Sequence, residues 1–380
     1  MKISMLEIVL DRNCYKWDNK SFMTMDTMSE CQFIYQKRII PMKRFLTVCM
    51  LSMCYLFSFS QGEIIQWKTF HKRAVKLSEI GTNPFQVKLQ TNGKTELFRI
   101  HQVILTDQSI MVTEGPEKNK GFPYRVLKFS KKGEYIKELF NPGKIVKVAY
   151  DKARNHIFIQ HGNSISLINE KGELIEEFKT ENGFSQLAIY NGYLWGIKLD
   201  LKQDVSYYSL IRLDRNGRNR KVIKRLKETE DILPRMGRHG SLSIHGNQLV
   251  VSMGCNHFNH LFQVEGDKLK PFITMENKSV RFSARDKLFA TNGFVSGNYL
   301  FWDYSRNFRT YTLLLDISER EVIGITANKK PESAKYGLID DLFNTGTVKV
   351  RNTAQCNHLF FYHAPKMPVN SLSLYFFKTK

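Results

Sequence analysis

The sequence predicts an all-β chain: a six-bladed β-propeller of four-stranded antiparallel blades, closed by an N-terminal strand. Three observations predict it. First, two hairpin units, Arg125–Phe140 and Ser164–Phe178, share one grammar. Each is an alternating apolar run, a short polar turn with glycine, and a second alternating run. Alternation of period two buries one face of a strand, and glycine supplies the positive φ of a tight turn. Second, the turn markers recur at Gly133, Gly172, Gly217, Gly266 and Ser318-Glu319, spaced by 39, 45, 49 and 52 residues. A strand-built repeat of that length is the signature of a propeller, and loop insertions produce the drift. Third, helical patterns are scarce after residue 80, and the aromatic content of 12% suits strands.

The N-terminus comes first in chain order. Met42–Gln61 has the form of a secretory signal, with Lys43 and Arg44 ahead of the apolar run Phe45–Phe57. Ser58 and Ser60 are the small residues before a cut at Gln61. The run is shorter than the roughly 20 apolar residues a membrane span needs. Neither Cys49 nor Cys54 follows the small residue of a lipoprotein signal. Residues 1–41 are therefore expected to be a leader or an over-extended start, with translation from Met42. Residues 42–60 are the expected signal peptide, and 61–380 a single propeller domain. The expected location is the periplasm or the exterior, with no stable membrane insertion after signal removal. Beyond residue 60 only Cys255 and Cys356 remain. One disulfide suits an oxidising compartment, but spacing alone does not pair them.

The blades come next. Phe85–Thr91 is the expected closing strand, pairing with the last blade to remove a sheet edge. Each hairpin is preceded by two more strands. For the first blade these are Ile100–Thr106 and Ser109–Thr113; for the second, Ile145–Asp151 and His156–Gln160. Phe184–Tyr190 and Tyr193–Lys198, joined by Asn191-Gly192, open the third. Ser241–Ile244 and Gln248–Ser252 open the fourth. Leu288–Asn292 and Tyr299–Tyr304 open the fifth. The sixth is expected to be Gly337–Asp341, Thr347–Asn352, Asn357–Tyr362 and Ser371–Phe377. Asn357-His358-Leu359-Phe360 repeats Asn259-His260-Leu261-Phe262, which supports the register.

The runs Val75–Ile80, Val87–Thr91, Ile100–Asp107 and Tyr124–Phe129 resemble the opening of the six-bladed β-propeller proteins abundant in Bacteroidota, whose hairpins are NHL-like. Gly337-Leu338-Ile339-Asp340-Asp341 is similar to that family's late Asn-Asp-Ile-Asp loop, with departures at Asp340 and Leu342. The resemblance covers about residues 70–380. It implies the fold and little chemistry, because most such proteins have no known biochemical role.

Charge and motifs narrow the function classes. The net charge is +21, of which residues 61–380 carry +18. The basic residues are scattered over turns and outer strands, and no nucleic-acid motif accompanies them, so no nucleic-acid partner is expected. GxSxG, P-loop and HExxH patterns are absent. No cofactor is expected. The sharpest polar cluster is Arg235, Arg238 and His239, in the longest connection between blades. Two arginines clamp a carboxylate or sulfate by paired bonds, and a histidine beside them is a base or a ligand. Trp302 and Tyr304 are candidate stacking surfaces for a sugar. Asp340 and its neighbour Asp341 are candidate carboxylates for calcium or for proton transfer, although neighbours on a strand point apart. His257 and His260, three apart, point to opposite faces of a strand and could share a metal only from a loop, so no metal site is expected.

The expected function is an exported binding or scaffold module. Its ligand would be an anionic small molecule, a glycan or a peptide at the central channel, and the chain a monomer. One alternative is a hydrolase or lyase using Arg238 and His239 with a carboxylate such as Asp340. Another is a protein–protein platform using the basic outer surface.

Overall fold

The structure, a computed structural model, describes residues 63–66, 73–115, 124–143, 146–180, 183–202, 205–217, 220–228, 240–253, 260–276, 289–306, 309–319, 321–327, 337–353, 358–363 and 368–380. They lie in one compact unit, Gln61–Lys380. Among the described residues, seven sheets make up the fold. The first holds Arg99–Leu105, Ser109–Gly115, Val126–Ser130 and Tyr135–Phe140, and the second Val146–Asp151, His156–His161, Ser164–Asn169 and Leu174–Lys179. The third holds Gln186–Tyr190, Tyr193–Lys202, Val205–Leu213 and Arg220–Glu228. The fourth holds Ser241–His245, Gln248–Ser252, His260–Glu265 and Lys268–Glu276, and Glu63–Gln66 adds to its outer edge in parallel. The fifth holds Phe289–Ser296, Tyr299–Arg306, Arg309–Asp316 and Glu321–Ala327. The sixth is small: Val75–Lys76, Leu338–Asp340 and Gly346–Val348. The seventh joins Arg351–Asn352, His358–Phe361 and Ser371–Thr379 to the N-terminal strand Gly81–Gln90.

The strand order within each four-stranded sheet is the meander of a propeller blade, and the N-terminal strand closes the ring as expected, antiparallel to Ser371–Thr379. The count is seven, not the six expected. Gly337–Asp341 and Thr347–Asn352 were expected to open the last blade together. Instead Asp340 reverses the chain within five residues, accepting hydrogen bonds from the Leu342, Phe343 and Thr345 amides. Gly346–Val348 then pairs back onto Leu338–Asp340. Val75–Lys76 adds in parallel on the other side. These strands run two or three residues, too short for alternation to be read.

The core explains why the middle strands are continuously apolar. Each blade is packed on both faces, so successive side chains of one strand serve different neighbours. In His156–His161, Ile157 and Ile159 pack toward the first sheet with Ile104 and Met111. Phe158, between them, packs toward the third sheet with Leu187 and Leu194. In the third sheet, Leu194 and Ile211 face back while Trp195 and Leu210 face Leu249 and Val251 of the fourth. Val87, Leu89 and Phe376 of the seventh sheet meet Ile100, Val103 and Phe129 of the first, closing the circle.

Three of the glycine turns, at Gly133, Gly172 and Gly217, press on the preceding sheet, whereas a Cβ on Gly266 would meet nothing within 4 Å. A Cβ on Gly133 would overlap the Lys88 carbonyl oxygen of the closing strand. One on Gly172 would stand 3.0 Å from Leu139, and one on Gly217 would overlap the Phe178 ring. These three turns, which help to reveal the repeat, also join its copies. The helix among the described residues, Leu77–Ile80, is a single turn, and no described helix is long and apolar enough to cross a membrane.

Candidate functional site

The first strands of the sheets surround a central cavity of about 420 Å³. Side chains lace these strands together at the wall. Gln102 joins the first and second sheets: its amide donates to the Val148 carbonyl at 3.4 Å and accepts from the Val148 amide at 3.1 Å. Ser243 accepts from the Val295 amide at 3.1 Å, and Ser241 donates to the Gly293 carbonyl, joining the fourth and fifth. Arg351 joins the seventh to the first, donating to the Ile100 carbonyl at 2.5 Å. Its guanidinium lies 4.9 Å from the centre of the Tyr362 ring, and the Tyr362 hydroxyl donates to the same carbonyl at 3.1 Å.

The cavity is electrically lopsided. Arg99, His101, Lys349 and Arg351 line it, and none of its described lining residues is Asp or Glu. Lys147, on the first strand of the second sheet, completes this arc. Its positive charge acts on His101, and burial holds its own ammonium below the usual lysine value. Opposite lie Gln186, Ser241, Ser243 and Phe294, which are neutral. The arc thus comes from the seventh, first and second sheets, and the neutral wall from the third, fourth and fifth.

His101 reaches the cavity through a local irregularity. Ile100 pairs with Glu114 and Gln102 with Thr113, so His101 is the extra residue of a β-bulge. A bulge re-aims a side chain that regular pleating would place elsewhere. The Gln102 amide turns to the Thr113 hydroxyl at 3.0 Å. The ring lies against Gly115, where a Cβ would overlap its Cδ2 and Nε2. His101 is open to the channel by surface area, yet the atoms crowded around its ring desolvate it, and this, then the charges of Lys147, Arg99 and Arg351, push the imidazole down to about 4. At neutral pH it is therefore uncharged among cations. Arg99 has no hydrogen-bond or ion-pair partner among the described residues, whereas the other arginine of this sheet is fully engaged. Arg125 pairs with buried Glu114 at 2.6 Å and bonds Thr95 at 2.8 Å and the Glu96 carbonyl. The Phe98 amide donates to the second Glu114 oxygen at 2.7 Å. That pair pins residues 95–98, immediately before the strand that presents Arg99 and His101.

The residues singled out from sequence fall differently. Arg235, Arg238 and His239 lie outside the described residues, as do Cys255, His257 and Cys356 and the side chain of Tyr304. Trp302 is 1% exposed and packs over Gly293, so it is core rather than a stacking surface. Asp340 is 2% exposed, and both carboxylate oxygens are taken by the turn, Oδ1 by the Leu342 and Phe343 amides and Oδ2 by Thr345. Asp341 holds Ser78 through amide and hydroxyl at 3.0 and 2.5 Å. Neither carboxylate is among the cavity-lining residues. The cationic arc was missed. Its signal was available: charged residues interrupting the apolar first strands, in Arg99-Ile100-His101 and in Val146-Lys147-Val148.

No family model and no curated protein matches the chain. A Bacteroides fragilis protein described as exported is similar in structure, at 12% identity and a TM-score of 0.59, over 83% of this chain and 99% of that one. What this likeness shows is the fold, a β-propeller. A gluconolactonase of Xanthomonas campestris is 13% identical over 75% of this chain and all of its own, with a TM-score of 0.38. A Bacteroides caccae protein of unknown function is 10% identical over 67% of this chain and 82% of its own, with a TM-score of 0.37. Neither of these two similarities bears on function.

Proposed function

We propose that this chain is an exported β-propeller binding module that holds an anionic small molecule, glycan or peptide in its central channel. The observation that supports this is a cavity of about 420 Å³ walled by Arg99, His101, Lys349 and Arg351, with no carboxylate among its described lining residues. The volume falls in the usual range for small-ligand sites, roughly 300–1,000 Å³. A wall that carries one sign of charge on a low-dielectric surface focuses an attractive potential for anions. Catalysis through Asp340 has no such support, because its oxygens already serve a turn. The test is a panel of anionic and neutral sugars, organic acids and acidic peptides, screened by calorimetry against the full chain. Gln186→Trp, which fills the channel from the third sheet, is expected to abolish any binding found. Lys132→Trp, on the outer rim, is expected to leave it intact. Binding that survives Gln186→Trp would place the ligand elsewhere and end the proposal.

A further inference from the structure

The two walls of the channel differ, and the difference specifies a ligand more closely than charge alone, given that the channel is the binding site proposed above. The cationic arc is Arg99 from the first sheet, Lys147 from the second and Arg351 from the seventh, with the uncharged His101 among them. Facing it, Gln186, Ser241 and Ser243 present amide and hydroxyl groups beside the Phe294 ring. Ser243 uses its oxygen as an acceptor for the Val295 amide, which leaves its hydroxyl hydrogen to donate. Asn352 adds an independent observation: its Oδ1 is buried at the cavity wall without a hydrogen-bond partner. A buried acceptor left empty costs stability, and a ligand hydroxyl would satisfy it. An anionic head, several hydroxyls and an apolar face together describe an acidic sugar.

We propose that the channel binds an acidic sugar with its carboxylate against Arg99, His101 and Arg351, and that the carboxylate draws one proton from solvent onto His101. The ring is surrounded by Arg99 on its own strand, Lys147 on the second sheet, Arg351 on the seventh, and Gly115 with the Tyr124 phenol from its own sheet. Desolvation, and then these three cations, keep the imidazole of the free protein from accepting a proton. A bound carboxylate reverses the local field. An opposite charge within about 4–6 Å moves such a group by roughly 1–3 pH units. The imidazole would then titrate at about 5–7 in the complex, up from about 4 in the free protein. The imidazolium that forms donates to the carboxylate, which stays ionised throughout.

The experiment is calorimetric titration of the full chain with glucuronate, sulfate and glucose between pH 5 and 7.5, in buffers of different ionisation enthalpy. Glucuronate is expected to bind more tightly than either sulfate or glucose. Its affinity is expected to rise as pH falls, by at most about tenfold per pH unit, with up to one proton taken up. His101→Gln should remove the proton uptake while glucuronate still binds. Arg99→Gln should weaken glucuronate roughly 10–100-fold, the worth of a charge-assisted bond. Unchanged urea midpoints at pH 7.5, above the titration of His101 in either state, would show both variants folded. Sulfate binding as tightly as glucuronate would overturn the sugar assignment. Glucuronate binding that Gln186→Trp abolishes but that ignores pH and Arg99→Gln would overturn this inference and leave the channel module standing. Failure of the full chain to bind glucuronate at pH 5 would overturn it as well, while the wider ligand panel continues to judge the channel.

Discussion

Replacing Gly133 by alanine tests whether the rim turns hold the ring closed. Gly133 has φ +90° and Gly346 has φ +91°. Alanine is strained in both places, by about 1–2 kcal/mol. The surroundings differ. A Cβ on Gly346 meets nothing within 4 Å. A Cβ on Gly133 overlaps the Lys88 carbonyl oxygen and lies 2.8 Å from its carbon and 3.0 Å from Val87. A backbone carbonyl has no rotamer to escape into, so the turn must draw away from the closing strand. Overpacking of this kind costs about 1–3 kcal/mol. Drawing away also strains the bond from the Gln90 amide to the Gly133 carbonyl, 2.8 Å long and worth about 0.5–1.5 kcal/mol. Gly133→Ala should therefore cost about 2–4 kcal/mol more than Gly346→Ala. Urea unfolding followed by tryptophan fluorescence reads this directly, since Trp195 and Trp302 are buried. With a slope of about 3 kcal/mol per molar, the Gly133→Ala midpoint should lie about 1 M below that of Gly346→Ala. Equal midpoints would refute the idea that the turn clamps the closing strand.

Three further outcomes are expected. Glu114→Gln should destabilise the chain by about 1–3 kcal/mol in urea unfolding, because it removes the buried carboxylate from Arg125, which keeps Thr95, the Glu96 carbonyl and the Glu138 carboxylate at 3.6 Å. Asp340→Ala should lower the urea midpoint by about 1–3 kcal/mol in stability, since the Leu342, Phe343 and Thr345 amides lose their acceptor, and should leave ligand affinity unchanged. In the free protein His101 titrates near 4, below its ordinary value of 6.5. Between those values the unfolded chain binds more protons, so stability rises with pH across the window. His101→Gln should flatten that rise, by less than the full one-proton slope because the ring is partly open to solvent. A slope unchanged by the substitution would show that His101 is not a source of it.

The sequence carried the fold where a strand lies on the surface or turns tightly. Residues 371–376 alternate because Leu372, Leu374 and Phe376 are buried while Ser373 and Tyr375 between them are more open, and Gly172 takes φ +80° because the hairpin demands it. Both features are local, so both can be read one residue at a time. The sixth sheet could not be read that way. Its stability comes from Asp340 gathering three amides and from Val75 pairing with Leu338, residues 263 positions apart. A two-residue strand has no period, and a pairing over that distance has no local signature. The same carboxylate that made Asp340 a site candidate is what reversed the chain and raised the count to seven.

The candidate site was illegible for a related reason. A propeller channel is assembled from the first strand of every blade, one or two residues from each, so its chemistry appears nowhere as a motif. Arg99 and Arg351 are 252 positions apart, yet Arg351 bonds the carbonyl of Ile100. His101 is harder still, because regular alternation from Ile100 puts residue 101 on one face and only the bulge decides where it points. A cluster close in sequence, such as Arg235 to His239, attracts attention because adjacency is visible. In a ring the informative pattern is the opposite: charges that recur at the same position of separate blades. Arg99, Lys147 and Arg351 all stand within the first two residues of their strands, with Gln186 and Ser241 at the matching place across the channel. Aligned by the register of the seven sheets, the first strands show the arc, whereas the six-blade register puts Arg351 in a second strand. The division between its cationic and neutral halves emerges from the same column.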